Sequence, residues 1–203
     1  MKNIEIKAWC RITNNKVLLN GEELQIPIKE NTSWLTNIYK SLKIDYPKYF
    51  KMDKLSKSGF LASEIIMRKL NIEPLKPKPN WSIILMNNSS SLETDKEFQK
   101  TIQSPSDYFP SPSVFVYTLA NIVTGEIAIR NKIIGETLFY VHQKFSAQHL
   151  YQYSLDSFSD QSIDNVLCGW VEDGDGDIDV LMFAIAESSD KNDFTIENIS
   201  KLY

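Results

Sequence analysis

Residues 111–141 read SPSVFVYTLANIVTGEIAIRNKIIGETLFYV, and the order of breakers and apolar residues in this stretch decides the fold. Pro112, with Pro105 and Pro110 before it, punctuates a loop. Asn121 stands where an N-cap belongs, and the apolar spacing after it predicts a helix to Asn131. Gly125 inside that helix is expected to allow close helix packing. Beyond Gly135, Thr137 to Val141 is rich in β-branched and aromatic residues, which predicts a strand. Phe145 to Phe158 predicts a second helix. Loop, helix, strand and helix in succession belong to an α/β protein with a mainly parallel sheet.

The flanks continue the alternation. Ile4 to Thr13 (IEIKAWCRIT) predicts a strand, and Asn20-Gly21 a tight turn within an excursion from Val17 to Ile28. Trp34 to Leu42 predicts a short helix capped by Thr32 or Ser33. Pro47 opposes a regular helix through the connector 45–53. An apolar stripe that includes Leu55, Phe60, Leu61, Ile65, Ile66 and Leu70 predicts a helix over Ser56 to Leu70, stopped by Pro74, Pro77 and Pro79. Trp81 to Met86 (WSIILM) is apolar without a gap, as a strand buried on both faces is. Asn87 to Ser91 reads as a polar turn, and Glu93 to Ile102 as a helix. Asp164 to Val171 and Ile178 to Glu187 read as a C-terminal antiparallel hairpin that forms an edge of the sheet. The expected architecture is a three-layer α/β/α single domain over residues 1–203, with a mainly parallel mixed sheet and a peripheral tail over 188–203.

Composition narrows the function. A chain of 203 residues, 42% hydrophobic, suffices for one sizeable core. The formal charge of −4 lacks the basic field of a nucleic-acid binder. No apolar run approaches the roughly 20 residues that span a bilayer, and the polar N-terminus does not read as a signal peptide. Cys10 and Cys168 sit in strand contexts and are expected as buried free thiols, which suits a reducing cytoplasm.

Several stretches, in order, resemble the N-terminal half of β-ketoacyl-acyl-carrier-protein synthases, the ketosynthases of the thiolase-like fold. Asn121, Gly125, Ile127, Ala128 and Ile129 match the family's helix pattern N-x-x-x-G-x-I-A-I. Phe50 to Ser56 (FKMDKLS) resembles the Met-Asp passage that leads into the family's first long helix, and Gly59-Phe60-Leu61-Ala62 the start of that helix. Trp81 to Ser91 resembles a strand and its polar turn, and Asp164 to Asp173 (DNVLCGWVED) a later strand. The resemblance covers about Lys2 to Glu187.

The resemblance implies two halves in a full ketosynthase, related by a pseudo-twofold. The first delivers a catalytic cysteine from a strand to the start of a buried helix. The second brings the histidines, or a histidine and an asparagine, that bind the thioester carbonyl. This chain spans the first half, and the family spacing from Gly135 lands on Lys144. A helix N-terminus favours an anionic thiolate and opposes a cation. Lys144 is then a solvent-facing residue of a decayed site, or an amine of depressed pKa. A register shift would instead put Gln143 or Ser146 at the turn, and a Ser146 nucleophile would need His142 or His149 as base.

What the resemblance implies is a non-catalytic accessory or chain-length-factor-like subunit of fatty-acid, polyketide or aryl-polyene-type synthesis. Its partner would be a full-length ketosynthase or a second copy, met through the strand Thr137, Leu138, Phe139, Tyr140 and Val141. A stand-alone acyl or acyl-carrier-protein binding module, with its crevice near Ser89–Ser91 and Gln143–Ser146, is the alternative. An acyl-transfer enzyme using Lys144 or Ser146 is the third reading.

Other patterns carry less. Lys48, Lys51, Lys54 and Lys57 would form a basic docking ridge for an acidic carrier protein, or an ordinary solvated face. Asp173, Asp175, Asp177 and Asp179 lack the Gly and Glu that a calcium loop needs, and read as a hairpin turn. His142 and His149, seven residues apart, do not have a helical metal-ligand spacing. No cofactor motif and no metal site is expected.

Overall fold

A computed structural model of the chain describes residues 3–106 and 108–203. In chain order its elements are β1 (Ile4–Thr13), β2 (Val17–Leu19), β3 (Glu22–Glu23), α1 (Trp34–Ser41), α2 (Lys54–Lys69), β4 (Trp81–Asn87) and α3 (Leu92–Lys100). They continue with α4 (Pro112–Phe115), α5 (Ile122–Asn131), β5 (Thr137–Val141), α6 (Ala147–Ser157), β6 (Asn165–Glu172), β7 (Asp179–Glu187) and α7 (Ile196–Leu202). A short 3-10 turn at Pro47–Lys51 falls where Pro47 opposes a regular helix, and another at Val116–Thr118 continues directly from α4.

The strands form one seven-stranded sheet in the order β3-β2-β1-β7-β6-β4-β5. β4 runs parallel to β5 and β6, while β6–β7, β7–β1, β1–β2 and β2–β3 are antiparallel, so the sheet is mixed as expected but parallel only around β4 rather than for the most part. The C-terminal hairpin is present, but it is not an edge: β7 lies in the middle of the sheet. Its residues Val180 to Ala186 are buried without a gap, a pattern that only a strand covered on both faces sustains.

Strand alternation divides the interior into two cores. Ile83, Leu85, Leu167, Val180 and Met182 face α1, α2 and α5. Ile84, Met86, Val166, Cys168 and Phe183 face α6 and α7. The sheet therefore carries helices on both faces, as the three-layer reading expected. Both cysteines are buried and free.

α2 is the backbone of the first core. Asp53 caps it, its Oδ1 accepting from the Ser56 N–H at 2.9 Å. A Cβ on Gly59 would stand 2.7 Å from Val123 Cγ2 and 3.3 Å from Val171 Cγ1, so this glycine lets α2 lie close to α5 and β6. The expectation for Gly125 is corrected: nothing lies within 4 Å of a Cβ built there. Buried Glu64 on α2 receives Arg130 of α5 through Nε at 2.7 Å and Nη2 at 3.2 Å, a two-toothed pair. Residues 188–203, expected as a peripheral tail, place Phe194 and Ile199 fully inside the second core.

Candidate functional site

Parallel strands bring their carboxyl ends to one side of a sheet, where open α/β folds keep their ligand crevices. Here the ends of β4, β5 and β6 surround a crevice of about 580 Å³. Ser89 and Ser90 line one side, Gln143, Lys144 and Phe145 another, and Trp170 and Glu172 lie along β6. The structure thus brings together the two turns, after Trp81–Met86 and after Thr137–Val141, that the sequence pointed to.

Glu172 fastens these parts. Its Oε2 accepts from the backbone N–H of Asn88 at 2.6 Å and of Ser89 at 3.0 Å. Its Oε1 accepts from the N–H of Asp173 at 3.0 Å and of Gly174 at 2.9 Å, and from the Ser89 hydroxyl. Burial pushes the carboxyl pKa up, but the bonds from Ser89, Asn88 and Gly174 outweigh it and hold the group below the ordinary glutamate value. Its neighbour Asp173 behaves oppositely. Burial, then the nearby Asp53 charge, pushes Asp173 up to about 7.

The turn from β5 into α6 holds the positions that the resemblance singled out. Lys144 is exposed and lies at the crevice mouth, with no hydrogen bond or ion pair among the described residues. Ser146 caps α6, its hydroxyl accepting from the His149 N–H at 3.3 Å. No hydrogen bond joins Ser146 to either imidazole. The rings of His142 and His149 stand 4.6 Å apart between centroids, outside the crevice lining. Burial, and then His149, lowers the pKa of His142. Phe145 stacks on Tyr203 at 3.8 Å and meets Trp170 edge-on at 6.0 Å. Tyr203, the last residue, is a crevice wall that local sequence patterns did not reveal; its OH donates to Asp179 at 2.6 Å.

The strand Thr137–Val141 is the outer strand of the sheet. On its inner side the Ile83 N–H donates to the Glu136 carbonyl, and the His142 N–H to the Asn87 carbonyl. Backbone groups of Glu136, Leu138, Tyr140 and His142 therefore turn toward β4. Those of Thr137, Phe139 and Val141 turn away from the sheet.

Of the four lysines of the ridge, three have engagements within the chain. Lys48 pairs with Glu126 at 2.8 Å, Lys54 donates to the Gly176 carbonyl at 2.6 Å, and Lys57 lies over the Tyr49 ring at 5.9 Å. Lys51 is exposed. The carboxylates 173, 175, 177 and 179 form no metal-ligating group of three or more among the described residues. Asp179 instead pairs with Arg11, and Asp177 accepts from the Asn14 amide at 2.6 Å. No single helix among the described residues is long and apolar enough to cross a membrane.

No family model matches the chain, and no curated protein matches it significantly. Solved structures do. The ishigamide ketosynthase/chain length factor is similar with a TM-score of 0.65 and 12% identity, over 93% of this chain and 63% of that one. The complex of the ketosynthase ApeO with its chain length factor ApeC from Xenorhabdus doucetiae is similar with a TM-score of 0.57 and 9% identity, over 94% of this chain and 81% of that one. A β-ketoacyl synthase from Burkholderia phymatum gives 0.60 and 11%, over 93% of this chain and 60% of that one. The chain thus spans less than two thirds of the first and third of these. Identities this low carry a likeness of backbone, and the backbone says that this chain has the thiolase-like fold of ketosynthases and chain length factors.

Proposed function

We propose that this chain is a non-catalytic, chain-length-factor-like subunit that pairs with a complete ketosynthase in fatty-acid, polyketide or aryl-polyene-type synthesis. The observation that supports the reading is the outer edge of β5, unpaired among the described residues, beside the turn where the family resemblance puts Lys144 in place of the cysteine. An unpaired strand edge presents a row of donors and acceptors to a second strand. An exposed apolar side chain on the strand itself supports it: Val141 is 55% exposed. Two of the similar structures are described as a ketosynthase with a chain length factor. Acyl carrier protein is the expected second partner, with Lys51 and its neighbours as a weak docking ridge.

The chemistry argues in the same direction. Condensation needs a thiolate, and neither cysteine can supply one at the crevice: both are fully buried, and burial raises both thiol pKa values, that of Cys168 to about 12. The Ser146 hydroxyl is occupied as a helix cap and is not bonded to an imidazole.

The test mixes the purified protein with malonyl- and acyl-carrier protein, alone and with a full ketosynthase from the same source. The expected result is no condensation alone and a changed product length or rate with the partner. Condensation by the chain alone, lost in Lys144→Ala or Ser146→Ala, would replace this reading with the acyl-transfer one. Tight acyl-carrier binding without any ketosynthase partner would favour the stand-alone module with its crevice between Ser89 and Lys144.

A further inference from the structure

His142 and His149 look unrelated in the sequence, yet the turn between β5 and α6 sets their rings 4.6 Å apart between centroids, tilted by 34°. The backbone that carries each ring is held in place. The His142 N–H donates to the Asn87 carbonyl at 2.8 Å, and the His142 carbonyl accepts from Asn88 Nδ2 at 3.1 Å. The His149 N–H is fixed by the Ser146 hydroxyl. Tyr153 backs both rings, at 5.7 Å from His142 and 5.8 Å from His149, and Tyr140 stacks on Tyr153 at 4.1 Å. No ring nitrogen of either histidine has a hydrogen-bond partner among the described residues.

Two imidazoles with free nitrogens on an aromatic support have a specific chemistry. Imidazole nitrogen is a preferred ligand of zinc, copper and nickel, whereas magnesium and calcium ask for oxygen. Tyr153 lies against both rings, so part of their side-chain freedom is already spent before an ion joins them. No third protein ligand completes the set among the described residues, so water would fill the other positions. Such a site binds more weakly than a closed structural zinc centre.

We propose that His142 and His149 form a two-imidazole site for a divalent transition ion of the zinc, nickel and copper class, at the carboxyl end of the edge strand β5. The proposal is independent of the accessory-subunit reading.

The experiment titrates the untagged full chain with Ni²⁺ and, separately, Zn²⁺ by calorimetry. One ion per chain is expected. His142→Ala and His149→Ala should each weaken binding at least about tenfold, since each removes one of two protein ligands. Circular dichroism should be unchanged in both, as His149 is exposed and His142 is only half-buried. Tyr153→Ala should weaken binding less than either, by loosening the rings. Absence of saturable binding of both ions would overturn the proposal. So would binding that survives both histidine substitutions unchanged.

Discussion

The sheet has two edges, and the chain finishes them in opposite ways. At one end β3 is two residues long, both are exposed glutamates, and Glu23 pairs with Lys16 at 3.3 Å. A strand so short and charged offers another chain almost nothing to pair with. At the other end β5 has five residues without a charge, and its three middle side chains are half-buried. It turns the backbone groups of Thr137, Phe139 and Val141 outward. The contrast teaches that the sheet ends in a short charged strand on one side and in an uncharged five-residue strand on the other, and the second side is where the turn carrying Lys144 begins.

The largest effect is expected where the contrast is broken directly. Proline at Thr137 and Val141 removes two outward N–H donors without touching the bonds to β4. If the proposed ketosynthase pairing holds, the double variant T137P/V141P should lose at least about 100-fold in affinity for that partner, or about 2.7 kcal/mol, while melting as one folded species. Proline at Glu22 should leave partner binding unchanged. Equal losses at both edges, read by copurification and calorimetry, would remove the distinction between them.

The next effect tests what keeps β5 ordered without an outer neighbour. Asn88, bonded to the turn after β5, is held in turn by Glu172. Glu172→Ala strands the Asn88, Ser89, Asp173 and Gly174 donors together. The expected cost is about 2–4 kcal/mol in urea unfolding, with faster amide exchange in the 88–91 loop. A change under about 0.5 kcal/mol would show that the free edge does not depend on this anchor.

How much of this was legible in the sequence depends on the range of the cause. Strands Ile4–Thr13 and Thr137–Val141 have the bounds that their local patterns predict. The alternation of Ile4, Ile6, Ala8, Cys10 and Ile12 suggests one face, but a bulge between Ile6 and Ala8 sends Ile4 and Ile6 to the second core. No turn residue marks that bulge. The central place of β7 follows from pairing with β1, at the far end of the chain, which no local window shows. The site divides in the same way. Its two turns were visible as polar breaks after apolar strands. The Glu172 anchor, the Tyr203 wall and the His142–His149 pair join residues from separate elements and needed the fold.

Asp173 and Glu172 supply a third prediction, because adjacent carboxyls are shifted in opposite directions. A raised folded pKa means that the folded state holds its proton while the unfolded chain has released it. Stability therefore falls as pH climbs from about 4 to about 7. Asp173→Asn should remove that slope and leave the variant more stable than the parent above pH 7, by on the order of 1–3 kcal/mol. Glu172 carries the reverse sign: its contribution is present above the unfolded value and is lost as pH falls through the lowered folded value. Urea midpoints of both variants across about pH 2 to 8 check the pair. Parallel slopes in parent and Asp173→Asn would show that Asp173 does not titrate in this window.

The smallest stability effect is expected at the position that matters most to the functional reading. Lys144 is exposed and has no partner among the described residues, so Lys144→Ala should change stability by less than about 0.5 kcal/mol. Any gain would come from removing a cation just outside the α6 N-terminus, where the helix dipole opposes it by a few tenths of a kcal/mol. The substitution therefore separates fold from chemistry cleanly. If β5 is the reason this turn exists, Lys144→Ala should leave both partner affinity and partner-dependent condensation near their parent values. If instead condensation collapses while affinity and melting stay constant, the amine takes part in the reaction, and the open edge would be the support of a working site.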